Sequence, residues 1–342
     1  MPFTQNAGPR PIIENLSPAA AIPGGDVYIH GKGFLHDPRP HVSIGGVDAP
    51  LVVGSGQFIV ARVPDTSGKG QLTVSNGQAA SEPASLSVGA MLADSLHPVT
   101  SPAVDRNGNL FTTFSGPRGQ KSAVSIYRID PTGVLTPFVS ELMNATSLAF
   151  DRFGTLHVSS RFDGVVYQVT SGGVLSVYVE GMGVATGIAF DTKENLYVGD
   201  RSGTIFKISQ ERQIYVFATI EASISAYHLS FGPDDSLYVT GPTTSSYDAI
   251  HRITQAGEVD VFYRGLGRPQ GMDFDNLGNL YVAASLNGRK GIVRITPQGS
   301  ASLFLAGPNI VGLAFAPGGN LAITTTNALY SVAAGVEGLR RF

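Results

Sequence analysis

Hydrophobic and polar positions along this chain follow a pattern that returns at intervals of about forty residues, which is typical of repeat architectures. Each copy has a short stretch that alternates large and small residues, a polar turn rich in Asp, Gly and Asn, and a second apolar stretch. The alternation is clearest in the triplets Leu148-Ala149-Phe150, Ile188-Ala189-Phe190 and Leu313-Ala314-Phe315. The second stretches begin at Leu110, Leu156, Leu196, Leu237, Leu280 and Leu321. Short apolar stretches separated by turn residues predict strands rather than helices.

One copy, residues 186–218, shows the internal organisation of the repeat. Its apolar stretches predict strands over 187–190, 196–199, 204–208 and 214–218. Four strands in about 42 residues form one blade of a β-propeller. Six copies between residue 100 and the end of the chain therefore predict a six-bladed ring. Two segments can supply its closing strand, residues 336–342 or residues 89–93, and the sequence does not choose between them.

The first ninety residues have a different pattern, with short strands and no helical period. Strands are predicted around residues 27–29, 41–44, 57–63, 70–75 and 84–88. Turn sequences such as Gly45-Gly46 and Asn76-Gly77 separate them. Strands at this spacing indicate a small antiparallel sandwich.

Three motifs in this segment resemble those of the IPT/TIG domain, an immunoglobulin-like module. They are PIIENLSP at 11–18, GGDVYIHGKGF at 24–34 and IGGVDA at 44–49. The module occurs in cell-surface receptors, bacterial carbohydrate-processing proteins and some transcription factors, so the resemblance implies a fold and no single function. We predict an all-β chain: an IPT/TIG domain over residues 1–90 and a six-bladed β-propeller over residues 91–342.

The propeller motif, GIAFDTKENLYVG at 187–199, resembles NHL repeats and the gluconolactonase and senescence-marker family. That resemblance implies a divalent metal held by carboxylate and amide side chains where the innermost strands begin. At those positions this chain has Thr100, Thr146, Thr186 and Gln270. Neutral oxygens alone bind calcium poorly, because such sites rely on anionic ligands. We therefore predict no cofactor and favour a protein other than a metal-dependent lactonase; a divalent cation such as calcium stays open as an alternative that these residues do not support.

The same ring of positions supplies the candidate ligand-binding residues at the channel mouth. They are Thr100, Thr146, Thr186, Tyr227, His228, Arg268 and Gln270. Nearby loops add the basic residues Arg118, Lys121, Arg161, Arg201, Arg289 and Lys290. Together these side chains predict a mildly cationic funnel for a small polar or anionic ligand, such as a sugar or sugar acid. The alternative is that the threonines only fill a narrow channel and the arginines are solvated.

Composition excludes several classes of partner. Charged residues make up 14% of the chain and the formal net charge is −3, so no nucleic-acid surface is predicted. There is no cysteine, and no apolar run is long enough to span a membrane. The first ten residues lack the features of a secretory leader, which favours the cytoplasm, whereas the IPT/TIG resemblance implies an envelope or secreted setting. Both settings stay open.

These observations favour a binding or recognition protein with a small polar or carbohydrate-like ligand. Two other classes stay open: a gluconolactonase-like hydrolase acting on a lactone or ester, and a protein–protein interaction scaffold. Propeller lyases of the streptogramin type use histidine, glutamate and magnesium. Here only His228 lies where the channel mouth is expected, and the repeat places no glutamate beside it.

Overall fold

The computed structural model describes residues 10–35, 39–66, 68–77, 79–116, 119–245 and 248–339. Within these ranges the secondary structure consists of strands, and no helix is long and apolar enough to cross a membrane. The strands before the ring are β1 (Ile12–Ser17), β2 (Ala20–Ala21), β3 (Asp26–Lys32), β4 (His41–Ile44), β5 (Val47–Ala49), β6 (Leu51–Gly54), β7 (Phe58–Arg62), β8 (Gln71–Ser75), β9 (Ala84–Ser85), β10 (Ser87–Val88) and β11 (Ala90–Ala93).

Two antiparallel sheets pack into the predicted sandwich. One has the strand order β1-β3-β7-β6 and the other β5-β4-β8-β9. Inward side chains alternate with outward ones, as in β3, where Val27 and Ile29 are buried and His30 is exposed. Ile44 and Leu72 meet them from the opposite sheet in a continuous apolar core. This arrangement confirms the immunoglobulin-like fold.

The remaining described residues, from 90 to 339, form six sheets around a common axis, which confirms the six-bladed propeller. Blades 1 to 3 are β12 (Ala103–Val104), β13 (Leu110–Thr113), β14 (Ile126–Ile129) and β15 (Leu135–Val139); β16 (Ala145–Phe150), β17 (Leu156–Ser160), β18 (Val165–Val169) and β19 (Leu175–Val179); and β20 (Ala185–Phe190), β21 (Leu196–Asp200), β22 (Thr204–Ile208) and β23 (Ile214–Thr219). Blades 4 to 6 are β24 (His228–Phe231), β25 (Leu237–Thr240), β26 (Asp248–Ile253) and β27 (Val259–Leu266); β28 (Met272–Phe274), β29 (Leu280–Leu286), β30 (Arg289–Ile295) and β31 (Ala301–Ala306); and β32 (Ile310–Ala316), β33 (Asn320–Thr325) and β34 (Leu329–Ala333).

Aromatic triads join consecutive blades. In each, a ring on the second strand of one blade meets a ring on its fourth strand and a phenylalanine on the first strand of the next blade. Ring centroids are 4.7–5.4 Å apart with steep interplanar angles, as edge-to-face pairs prefer. The central rings are Phe111, His157, Tyr197, Tyr238 and Tyr281.

The sixth blade is completed by β11, which pairs antiparallel with β34 through Ala90 opposite Ser331 and Met91 opposite Tyr330. Of the two segments that could supply the closing strand, it is therefore the one directly after the sandwich that does so. Aliphatic side chains fill the seam between blades 6 and 1, with Leu96, Leu110 and Leu329 among them. Both ends of the propeller sequence thus meet in one sheet.

The sandwich docks on blade 5 through shared strands and shared core residues. Strands β10 and β2 extend the blade 5 sheet in parallel beyond β31. Ala306 of β31 lies in the sandwich core, while Ile22 lies in the core between blades 5 and 6. Arg289 stacks 3.7 Å from the Tyr28 ring centroid and donates a 2.7 Å hydrogen bond to the Ser17 carbonyl. Because core residues cross it, the division at residue 90 stays a prediction.

The C-terminal segment, residues 336–339, follows a course that the sequence did not indicate. It pairs with the end of the innermost strand of blade 5, where Leu339 N–H donates to the Phe274 carbonyl at 2.8 Å and Asn276 N–H donates to the Glu337 carbonyl at 3.0 Å. Gly338 lies against Phe315, so close that a side chain would overlap it. This segment therefore lies beside the turns that follow the innermost strands, and residues 337–339 line the channel cavity.

Candidate functional site

A belt of hydrogen bonds encloses the end of the channel where the innermost strands begin. Each bond of this hydrogen-bond belt crosses from one blade to the next. The links run Thr100 Oγ1 to Thr146 O at 2.7 Å, Ser159 Oγ to Thr186 O, Tyr227 N to Thr186 Oγ1 at 3.1 Å, Thr240 Oγ1 to Gln270 O at 2.6 Å, Gln270 Nε2 to Ile310 O at 3.4 Å, and Thr324 Oγ1 to Thr100 O at 2.8 Å. Bonds of this kind satisfy buried polar groups and fix the spacing of the strands.

The three candidate threonines all belong to this region. Thr100, Thr146 and Thr186 are buried, and their hydroxyls donate to main-chain carbonyls. Thr186 Oγ1 donates to Gly199 O at 2.8 Å while it accepts the Tyr227 N–H. The structure therefore places these hydroxyls in main-chain hydrogen bonds, outside the channel cavity. Ligand binding by the threonines stays a prediction from the sequence alone.

The other four candidates lie apart from one another. Tyr227 is buried and donates its hydroxyl to the Glu221 carbonyl, and burial raises its pKa to about 12. His228 is also buried, and burial lowers its pKa to about 4. Gln270 contributes to the belt, whereas Arg268 is exposed in the loop before β28. None of the four lines the cavity described below.

The basic loop residues form no common funnel. Lys121 pairs with Glu141 at 3.5 Å, Arg161 donates to Ser115, and Arg201 donates to the Ile224 carbonyl. Arg289 is held by the sandwich, as described above, and Lys290 is exposed. Arg118 lies outside the described residues. The predicted cationic mouth is therefore not assembled by the side chains that the structure describes.

The metal implied by the gluconolactonase resemblance does not fit these residues. Its ligand positions are the threonines and Gln270 of the belt, whose side-chain atoms already hydrogen-bond to the main chain. Among the described residues, no three acidic or histidine side chains converge in a way that could hold a metal ion. We therefore derive no metal-assisted step at this end of the channel.

The channel itself contains a cavity of about 540 Å³, lined by the innermost triplets and by residues of the turns that follow them. This volume is typical of small-molecule sites. Its wall consists largely of the innermost triplets, with their first and second residues prominent. The apolar members are Pro102, Ala103, Leu148, Ala149, Ile188, Ala189, Leu229, Met272, Leu313 and Ala314.

Two of the triplets have a polar residue in the middle, and these triplets belong to adjacent blades; Ser101, just before the triplet of blade 1, also lines the cavity and accepts the Leu313 N–H. Where other blades have alanine in the middle of the triplet, blade 4 has Ser230 and blade 5 has Asp273. The Asp273 carboxylate accepts the N–H of Phe274 at 2.9 Å and the N–H of Phe315 at 3.2 Å. These bonds fix the carboxylate in the wall. Asp273 is not among the candidates named from the sequence, although among the triplets it is the position where a charged residue stands in place of alanine.

A series of contacts at the rim of the cavity connects blades 1 to 3. Arg106 donates to the main-chain carbonyl of Arg152, and Arg152 N–H donates to the Glu194 carboxylate at 3.3 Å. The Arg152 guanidinium lies 4.0 Å from the same carboxylate. Burial raises the pKa of Glu194, and the contacts with Arg152 oppose that rise. The rim arginines thus face acceptors of the protein itself.

A Thr186→Val variant tests the structural role of the belt. The substitution keeps the shape of the side chain but leaves the buried Tyr227 N–H without its acceptor. We expect a loss of about 2 kcal/mol in unfolding free energy, measured by urea denaturation. Thr219→Val, at an exposed position of the outer strand in the same blade, is the control and should change stability by less than about 0.5 kcal/mol. Equal losses in both variants would contradict the belt.

Residues 11–88 match the family model of the IPT/TIG domain. The IPT/TIG domain therefore covers almost all of the described sandwich. No curated protein sequence matches the chain.

Solved structures match the whole architecture or its propeller. An auxiliary nutrient binding protein from Bacteroides thetaiotaomicron is 14% identical with a TM-score of 0.55, and the match covers 94% of this chain and 97% of that one. A gluconolactonase-like protein is 16% identical with a TM-score of 0.60, covering 74% and 93%. The virginiamycin B lyase of Staphylococcus aureus is 19% identical with a TM-score of 0.52, covering 69% and 80%. Identities this low show the fold.

Proposed function

We propose that this protein is a binding protein whose propeller channel takes a small polar ligand. The observation that carries the proposal is the cavity, in which Ser230 and Asp273 interrupt an apolar wall. Binding sites commonly combine apolar walls with a few placed polar groups that orient the ligand. The apolar wall would pack against the body of the ligand, and the two polar side chains would hydrogen-bond its substituents.

The hydrogen-bond belt favours a binding role over a metal-dependent lactonase, because it occupies the positions at which the lactonase resemblance places a metal. The nutrient binding protein, which matches 94% of the chain, is consistent with this role. Similarity to solved structures does not by itself decide between binding and hydrolysis, since a gluconolactonase-like protein matches the propeller as well. Because of the belt, we do not propose lactone hydrolysis.

Thermal unfolding in the presence of monosaccharides, sugar acids and amino sugars tests the proposal. At least one compound should raise the unfolding midpoint, because a ligand that binds only the folded state stabilises it by about 2.7 kcal/mol at a hundredfold excess over Kd. An Ala189→Leu variant fills the cavity and should lose this response. The control, Ala256→Leu, lies in an exposed turn and should retain it.

Two results would contradict the proposal. One is a panel in which no compound raises the midpoint of the unmodified chain. The other is a response that persists in full in Ala189→Leu, since this would place the ligand outside the channel. The midpoint of each variant without ligand shows whether the variant is folded.

A further inference from the structure

Acidic residues outnumber basic residues in the lining of the channel cavity. Among the described residues, five acidic and two basic ones line it: Asp105, Asp191, Glu194, Asp273, Glu337, Arg106 and Arg152. The carboxylates of Asp105 and Asp191 also accept N–H groups of their own turns. This balance differs from the cationic funnel expected from the sequence. It also differs from the nearly neutral composition of the chain, so the excess of negative charge is local.

The positions of these groups also separate the positive charges from the deeper negative charge. Both guanidiniums lie at the rim, where Arg152 faces the Glu194 carboxylate and Arg106 is directed at a main-chain carbonyl. The deeper wall has a single charged side chain among the described residues of the innermost triplets, Asp273. A carboxylate surrounded by apolar groups attracts a cation more strongly than one in water, because the local dielectric constant is lower.

We propose that the channel selects a ligand with a positively charged nitrogen, a primary ammonium group such as that of an amino sugar or amine. The ammonium lies against the Asp273 carboxylate with the Ser230 hydroxyl beside it, and the remainder of the ligand packs on the apolar wall of blades 2 and 3. A carboxylate ligand of the same size is disfavoured by the acidic lining. This inference rests on the proposed function and specifies its ligand class.

The absence of cysteine from the chain allows a direct test of the charge inside the cavity. Ser230→Cys places a single thiol in the wall, and Ser176→Cys places one on the exposed outer strand of blade 2. Both are modified with methanethiosulfonates carrying a trimethylammonium, a sulfonate or a neutral methyl group. We expect the ratio of cationic to anionic rates to be about tenfold higher in Ser230→Cys than in Ser176→Cys.

The Asp273→Asn substitution in the Ser230→Cys background assigns the effect to the carboxylate. Asparagine keeps one acceptor oxygen for the two main-chain N–H groups that the carboxylate binds, removes the negative charge, and should lower the ratio towards that of Ser176→Cys. The ratio in the singly substituted chain already tests the sign of the charge, so the experiment does not depend on the folding of the double variant. An unchanged ratio in a folded double variant would overturn the role of Asp273.

The results with the three reagents distinguish an error in the ligand class from an error in the proposed function. If the neutral reagent modifies Ser230→Cys and the charge ratio is no higher than in Ser176→Cys, the ligand class is wrong and the binding cavity stands. If the neutral reagent modifies Ser176→Cys but not Ser230→Cys, the cavity is closed to ligands and both proposals are wrong. In the unmodified chain, glucosamine should raise the unfolding midpoint more than glucose, and glucuronate least; the reverse order would also overturn the inference.

Discussion

A Gly312→Ala variant is expected to lose about 3 kcal/mol of unfolding free energy. Gly312 lies at the start of the blade 6 innermost strand, against the main chain of blade 1. A β-carbon there would lie 2.7 Å from the Thr100 carbonyl carbon and closer still to the N and Cα of Ser101. Since these neighbours are main-chain atoms, blades 6 and 1 must move apart to admit a methyl group. Guanidinium denaturation followed by circular dichroism measures the loss.

A second glycine provides the control. At Gly54, on the outer edge of the sandwich, the nearest atom to a new β-carbon is Pro40 Cγ at 3.9 Å. Gly54→Ala should therefore change stability by less than about 0.5 kcal/mol. Similar losses in the two variants would show that the close approach of blades 6 and 1 does not limit the size of residue 312.

A His157→Tyr variant is expected to be more stable than the unmodified chain, and the difference should grow as the pH falls. His157 occupies the central position of an aromatic triad in which other blades have Tyr197, Tyr238 and Tyr281. Its Nε2 is buried and has no hydrogen-bond partner among the residues that the structure describes. Burial lowers its pKa to about 4, with the charge of Arg212 acting in the same direction and Asp151 opposing it.

The sign of the pH effect follows from this lowered pKa. Between pH 6.5 and about 4 the unfolded chain binds a proton at residue 157 and the folded chain does not, so stability is lost as the pH falls through this window. The loss attributable to His157 is about 3 kcal/mol. A tyrosine at position 157 removes this loss and places a hydroxyl near the Asp151 carboxylate. The Tyr197 hydroxyl donates to the Asp191 carboxylate in the same way, at 3.2 Å.

Urea denaturation at pH 7 and pH 4.5 measures this prediction. The unmodified chain should lose more stability between the two values than His157→Tyr does, and the buried His228 should account for part of what remains. The matched control is His30→Tyr on the exposed face of β3, which should retain the pH dependence of the unmodified chain. An equal pH dependence in His157→Tyr and the unmodified chain would refute the prediction.

The blades could be predicted from sequence because local chemistry determines them. The turn aspartates illustrate this: Asp191 accepts the N–H groups of Lys193 and Asn195, and Asp275 does the same for Leu277 and Asn279. Such turns recur wherever the motif recurs, so the count of motifs predicts the count of blades. The closing strand depends instead on a long-range pairing, and both candidate segments have apolar residues suited to it.

The candidate site could not be predicted in the same way. A threonine at the start of an innermost strand can face either the channel or the main chain of the next blade. Its direction depends on how closely the strands approach, as at Gly187, where a β-carbon would lie 2.5 Å from the Tyr227 carbonyl oxygen. That distance results from packing of the whole ring. A signal for the cavity was nevertheless present, since serine and aspartate replace alanine in two adjacent triplets.

The pairing of β11 with β34 has a consequence for synthesis of the chain. On the ribosome, β11 emerges before every other strand of the propeller, and β34 emerges after all of the others. The ring of blades therefore stays open until translation reaches the last blade. Contacts between such distant segments make folding slow and leave apolar edges exposed in the meantime. Chaperones that shield strand edges during translation should consequently have a greater effect on the yield of this protein than on that of its isolated sandwich.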